Sequence, residues 1–311
     1  MITLKQDLRD TFGEFLVRLG SSNKKVVVLD SDLSTSTRTN KFGNEFPNRF
    51  FNMGIAEQNM LGVALGFAIS GKIPVVSGFT VFTTGRAWEF IRFACHDNLD
   101  IKIITTHSGF VGGDGSTHNA FEDLSLMCSL PNLKVLNPSD NIELIKMLEY
   151  VFETNGPFYI RLPRGMFPKI HKENYEFQIG IPEVVKDGED ICLIGTGYGT
   201  SLALDSAPEI EQILNISTKV INISSVKPIN SSILIEELSR AKGVIVLEEH
   251  NKYCGFGSIL ARIISEHHPI PMRFIGIDDT FGQSGNREAL LNFYGLNKKK
   301  VIENVKSLLM S

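Results

Sequence analysis

The chain has 311 residues, 42% apolar and 21% charged, a balance that excludes a disordered or fibrous protein and leaves room for two buried cores. Its formal charge of −4 is well mixed apart from the lysines at 298–300, and so gives no sign of a nucleic-acid or membrane partner. Cys95, Cys128, Cys192 and Cys254 form no CxxC pair, which argues against a disulfide framework or a zinc site.

Apolar, β-rich runs alternate with helical patterns. Strands are expected at 26–29, 74–77, 101–105, 134–136 and 158–161, with helices at 6–19, 56–70, 82–95 and 140–152. The stretch 164–187, with Gly165, Pro168, Gly180 and Pro182, breaks the rhythm and reads as a connection. A second alternating block comes next, with strands at 191–194, 219–223, 244–247 and 272–277 and helices at 200–214, 233–241, 258–266 and 299–309. The pattern predicts an α/β protein of two doubly wound, mainly parallel-sheet domains, 1–165 and 188–311, joined by a linker at 166–187. The N-terminus carries charges where a signal peptide needs an apolar core, and no apolar run approaches the roughly 20 residues that span a bilayer, so a cytoplasmic protein is expected.

Three segments carry candidate chemistry. In FNMGIAEQNM, at 51–60, Glu57 opens a helix that is apolar nearly all round and should be buried, with Gly62 and Gly66 admitting a close neighbour. A carboxylate there either serves a ligand or simply sits well at the positive end of the helix dipole. In SGFTVFTTGR, at 77–86, Phe79 and Phe82 lie between a strand and a helix, where they can stack on a flat ring or pack as core. In THSGFVGGDGSTH, at 106–118, His107 comes directly after a strand, and a glycine-rich loop then brings Asp114 and His118. Two histidines and an aspartate there suit proton handling or phosphate contact, although a solvated loop is also open. Metal binding lacks a further His or Cys to complete a ligand set. The Gly195-Thr-Gly-Tyr-Gly199 turn has its third glycine one position early for a dinucleotide fingerprint and reads as a tight turn feeding a helix.

Taken together these segments resemble the transketolase family along essentially the whole chain. GIAEQNM at 54–60, FxxF at Phe79 and Phe82, RAxE from Arg86, TH at Thr106 and His107, DGxTH from Asp114 to His118, and LPN at 130–132 occur in the family's order. The resemblance implies a pyrimidine-binding domain for thiamine diphosphate, succeeded by the smaller transketolase C-terminal domain. It also implies that the diphosphate and Mg2+ are held by a partner N-terminal subunit, because the diphosphate-binding half has no counterpart here. A heterotetramer of two copies of each chain is the expected assembly.

By the same resemblance Glu57 hydrogen-bonds N1′ of the cofactor's aminopyrimidine and favours the tautomer that activates the thiazolium ring. Phe79 and Phe82 pack around the pyrimidine, with Gly85 standing where the family often has a tyrosine. Asp32 and Leu33 lie beside the thiazolium. Asp114 and His118 contact sugar hydroxyls, His118 with a catalytic part. Arg9, Ser36, His107 and Arg164 surround the terminal phosphate, where guanidinium forks suit a tetrahedral anion and a sulfonate has a similar shape. No metal ligand is assigned to this chain. The implied activity is transfer of a two-carbon ketol unit from a ketose phosphate to an aldose phosphate, with pentose-phosphate intermediates as the default substrates. Its rivals are the beta subunit of a 2-oxo acid dehydrogenase, a split transketolase for a branched or sulfo-sugar, and an inactive scaffold subunit. Glu248-Glu-His250 and His267-His268, in the C-terminal domain, read as surface or interface residues.

Overall fold

The computed structural model describes residues 5–310, so the outermost ends of the two expected domains lie outside the described residues. The chain forms two compact units, 5–111 with 118–177, and 112–117 with 178–310.

The first unit runs β1 (Lys5–Asp7), α1 (Leu8–Ser22), β2 (Val26–Asp30), α2 (Ser34–Thr37), α3 (Asn40–Glu45), β3 (Phe50–Asn52), α4 (Glu57–Ile69), β4 (Ile73–Ser77), α5 (Thr80–Arg86), α6 (Trp88–His96), β5 (Lys102–Ser108), α7 (Asp123–Cys128), β6 (Lys134–Leu136), α8 (Asn141–Glu153), β7 (Phe158–Pro163) and β8 (Met166–Pro168). Strands β6-β7-β5-β4-β2-β3 pair in that order and all in parallel, while β1 and β8 form a separate antiparallel pair. Burial explains the sequence of the central strands. All five residues of β2 and all seven of β5 are buried, as helices on both faces of a parallel sheet require. Helix α1 begins where Asp7 accepts a hydrogen bond from the Arg9 amide, and it buries Leu8, Phe12, Phe15 and Leu16 along one stripe.

Two local expectations change. The helix expected over 82–95 is two helices, α5 and α6, separated at Ala87; Thr83, Thr84 and Gly85 are poor helix formers just before the break. Helix α4 is covered on one side only. Glu57, Met60, Leu61 and Ala64 are buried, but Ile69 is 72% exposed and no atom lies within 4 Å of a Cβ built on Gly66. Its apolar sequence predicts burial all round, yet among the described residues Phe90 of α6 reaches that second face only at Gly62, and its far end at Gly66 and Ile69 is open.

The second unit comprises β9 (Glu183–Lys186), β10 (Ile191–Gly195), α9 (Tyr198–Leu214), β11 (Thr218–Asn222), β12 (Ser225–Lys227), α10 (Ser231–Leu238), β13 (Gly243–Asn251), α11 (Phe256–His267), β14 (Met272–Ile277), α12 (Arg287–Phe293) and α13 (Lys298–Leu309). Its sheet has the order β14-β13-β10-β11-β9, parallel except for β9. Strand β9, like β8, falls within the stretch expected to be a connection. The glycine turn after β10 serves packing, since a Cβ on Gly199 would stand 2.0 Å from the Leu247 carbonyl oxygen. Glu248, Glu249 and His250 are buried, not on the surface. Glu248 accepts hydrogen bonds from the amides of Phe256 and Gly257 at the start of α11, and Glu249 pairs with Arg287 through both oxygens.

Candidate functional site

The carboxyl ends of five adjacent parallel strands assemble one site in the first unit. Taken across the sheet as β7-β5-β4-β2-β3, these strands lead in turn to Arg164, His107 (at the end of β5), Phe79, Asp32 with Leu33, and Glu57 at the start of the helix after β3. The chain leaves β2 toward β3 on one side and returns to β4 on the other, so the centre of this row is the point where an open parallel sheet forms its binding crevice. Residues distant in sequence become neighbours because each strand is one place along the sheet.

Glu57 is 4% exposed in the first turn of α4, and its neighbour on this chain is the Arg86 guanidinium, with Nη1 3.2 Å and 3.4 Å from the two carboxylate oxygens. Arg86 is 55% exposed and lies over the Phe82 ring, 4.7 Å from its centre. Sequence reasoning gave Arg86 no role. Its spacing of four residues from Phe82 on one helix was the available signal.

Phe79 and Phe82 have centroids 6.3 Å apart and planes within 20°. His118 meets the Phe82 ring edge-on at 5.2 Å, and the His107 ring lies 3.9 Å from Phe79. Beyond Gly85 a Cβ would meet nothing within 4 Å, so this wall is open. A Cβ on Gly78 would come within 2.7 Å of both the Ser31 and Thr83 hydroxyl oxygens, and those two buried hydroxyls have no hydrogen-bond partner among the described residues.

His107 is the extra residue of a β-bulge. The register of β5 on β7 shifts between Thr106 and Ser108, and His107 takes a φ of 62°, an uncommon conformation for a non-glycine residue. The bulge re-aims the imidazole, which lies 2.9 Å from the Thr106 hydroxyl through Nδ1 and 3.4 Å from Arg9 Nη1 through Nε2. Burial, then the nearby charges of Arg9 and Arg164, then His118 and Arg38, push its pKa down to about 3. His107 is therefore a neutral ring amid guanidinium groups. Arg9 is buried, paired with Asp7, and donates to the Ser36 carbonyl at 3.2 Å. Arg164 donates to the Val111 carbonyl at 3.0 Å.

The structure thus brings together Glu57, Phe79, Phe82, His107, His118, Arg9 and Ser36, with Arg164 close enough to act on His107. Asp32 (φ 65°) accepts from the Asn52 side chain at 2.9 Å, and Leu33 is half-buried beside it. Asp114 is exposed on a short turn that packs with the second unit, where the Ser284 hydroxyl donates to Gly113.

Family comparison identifies both halves of the chain. The transketolase pyrimidine-binding domain model matches residues 5–169, and the transketolase C-terminal domain model matches 180–301. The chain belongs to the transketolase family. It is 39% identical over 304 residues to a protein from Methanocaldococcus jannaschii named as a transketolase C-terminal section, covering 96% of this chain and 95% of that one. It is 31% identical to a 6-deoxy-6-sulfo-D-fructose transketolase subunit from a Clostridium species, covering 95% and 92%. A solved split-gene transketolase, described as an inactive beta4 tetramer, superposes with a TM-score of 0.90 at 41% identity over 97% of this chain and 98% of its own. Against 1-deoxy-D-xylulose-5-phosphate synthase from Halothermothrix orenii the identity is 32%, but there this transketolase chain spans only 47% of the relative. The family depends on thiamine diphosphate. Among the described residues, no helix is long and apolar enough to cross a membrane.

Proposed function

We propose that this chain is the pyrimidine-binding subunit of a two-chain transketolase, which moves a two-carbon ketol unit from an anionic ketose to an aldose phosphate. The observation that carries this reading is Glu57, a buried carboxylate opposite a near-parallel aromatic pair, whose charge is met among the described residues through one half-exposed arginine. A carboxylate so placed is costly unless a hydrogen-bond donor arrives to use it. The residues present fit an aminopyrimidine. Phe79 and Phe82 offer flat apolar surface, Gly85 leaves entry room, and Glu57 offers a carboxyl group that can share a proton with a ring nitrogen.

Thiamine diphosphate supplies the carbanion chemistry when bound, its diphosphate and Mg2+ held by the partner N-terminal subunit. Glu57 would share a proton with the ring nitrogen, giving it up and taking it back. Arg86 draws back over Phe82 when that nitrogen takes its place. His118, edge-on to Phe82, serves the sugar hydroxyls, a role the DGxTH motif also gives Asp114. Asp32 and Leu33 close the thiazolium side. Arg9 and Arg164, with the Ser36 hydroxyl and the neutral ring of His107 beside them, form a cationic end that accepts a phosphate or sulfonate.

Relatives that include a sulfo-sugar transketolase subunit, an apulose-4-phosphate transketolase subunit and deoxyxylulose-phosphate synthases support the anionic-sugar class rather than one sugar within it. The deciding experiment co-purifies this chain with the diphosphate-half subunit and assays ketol transfer across phosphorylated and sulfonated ketoses. Transfer by the pair, lost in Glu57→Gln, is the expected result. Oxidative decarboxylation of 2-oxo acids with no sugar transfer would contradict it.

A further inference from the structure

Asp30, the last residue of β2, is a buried acid outside the roles already described. Its side chain is fully buried, and both oxygens are spent on the loop after the strand. One accepts the Leu33 amide at 2.6 Å, and the other accepts the hydroxyls of Thr37 at 2.7 Å and Thr39 at 2.8 Å. Those two hydroxyls also lie 3.0 Å from each other. One carboxylate therefore gathers three points of the loop 31–39, at its start and at its end.

The loop needs such a clamp. Asp32 and Arg38 both take a left-handed φ, 65° and 69°, which non-glycine residues adopt at a cost. Short of glycine, this conformation persists only where surrounding bonds over-determine it. Between the two strained residues lies Ser36, whose carbonyl accepts from Arg9, and Arg9 in turn lies against His107. The contact chain Asp30, Thr37, Ser36, Arg9, His107 is continuous.

We propose that Asp30 is a positioning residue for the anionic end of the substrate, holding the Ser36 carbonyl where it aims the Arg9 guanidinium. This rests on the transketolase reading, since it names which part of that site the carboxylate serves. Asp30 is buried with both oxygens taken by these bonds, so it acts through the loop and not by contact with sugar or cofactor. Its burial and its neighbour Asp32 raise its pKa, and the three donors offset part of that rise, as befits a carboxylate kept for bonding.

The test compares Asp30→Ala and Asp30→Asn with the unaltered chain, each assembled with the partner subunit. KM is measured for a phosphorylated ketose and for a neutral ketose of the same donor end. The expected result is a rise of about tenfold in KM for the phosphorylated ketose with Asp30→Ala, kcat within about threefold, and little change for the neutral one. Asp30→Asn, which keeps an acceptor for the Leu33 amide, should recover part of the loss. A fall in kcat for both ketoses alike, with no loss of phosphate preference, would overturn the proposal. A second readout needs no activity. Amide hydrogen exchange at Leu33 and Thr37 in the isolated chain should quicken about tenfold or more in Asp30→Ala, while α4 and β5 are unchanged. Unchanged exchange there sinks the clamp. Quickened exchange in the variant, beside an unaltered pair that transfers no ketol unit, upholds the clamp and sinks the transketolase reading instead.

Discussion

The proposed chemistry centres on Glu57, whose carboxylate is buried where a parallel sheet opens and is compensated by the half-exposed end of Arg86. Glu57→Gln keeps the shape but cannot take a proton, so kcat should fall by about 10²–10⁴-fold in the assembled enzyme while cofactor binding weakens less. Steady-state rates beside a cofactor titration measure both. Arg86→Ala tests the reverse. If the guanidinium must leave for the ring to enter, the variant should bind thiamine diphosphate at least as tightly as the parent, by calorimetry on the pair. Weaker binding would assign Arg86 to the cofactor.

His107 adds a pH signature. Its pKa falls to about 3 in the fold, against an ordinary value of 6.5, so between those values the unfolded chain binds the extra proton. Stability from this group is present above about pH 6.5 and is lost as the pH falls toward 3. Urea midpoints from about pH 7 down to about 4 should drop less steeply for His107→Asn than for the parent. Parallel slopes would mean the imidazole titrates normally.

At the scale of elements, α4 separates what a sequence can tell from what it cannot. Its periodicity is apolar nearly all round, and that pattern correctly marks a helix but overstates its cover within one chain. Gly66 and Ile69 are open among the described residues, so burial of that end must come from elsewhere or not at all. Ile69→Glu or Gly66→Leu should weaken assembly with the N-terminal subunit by about tenfold or more and leave the melting temperature of the isolated chain within about 2 °C. Sedimentation and thermal melts check the two halves of this statement. Other elements obey the same logic. The long buried strands β2, β4, β5 and β7 were legible because continuous β-branched runs have few alternatives. The short β3 and α2, and the break at Ala87, were not, because such brief elements carry no period and are set by tertiary pairing. The site was legible as a set of motifs. Its internal contacts were not, since the bulge at His107 follows from strand register, the clamp at Asp30 from local backbone conformation and the Arg86 ion pair from the packing of α5 on α4, none of which motif spacing encodes.

At the scale of the whole molecule, both units match transketolase domains, and on the proposed reading the first supplies one side of a thiamine site. The account stands or falls on division of the cofactor between two polypeptides. The most direct measurement titrates thiamine diphosphate with Mg2+ into this chain alone, into the partner alone, and into the two together, recording heat and ketol transfer. The account predicts saturable binding and turnover only for the mixture. Tight binding and full turnover by this chain on its own would contradict it.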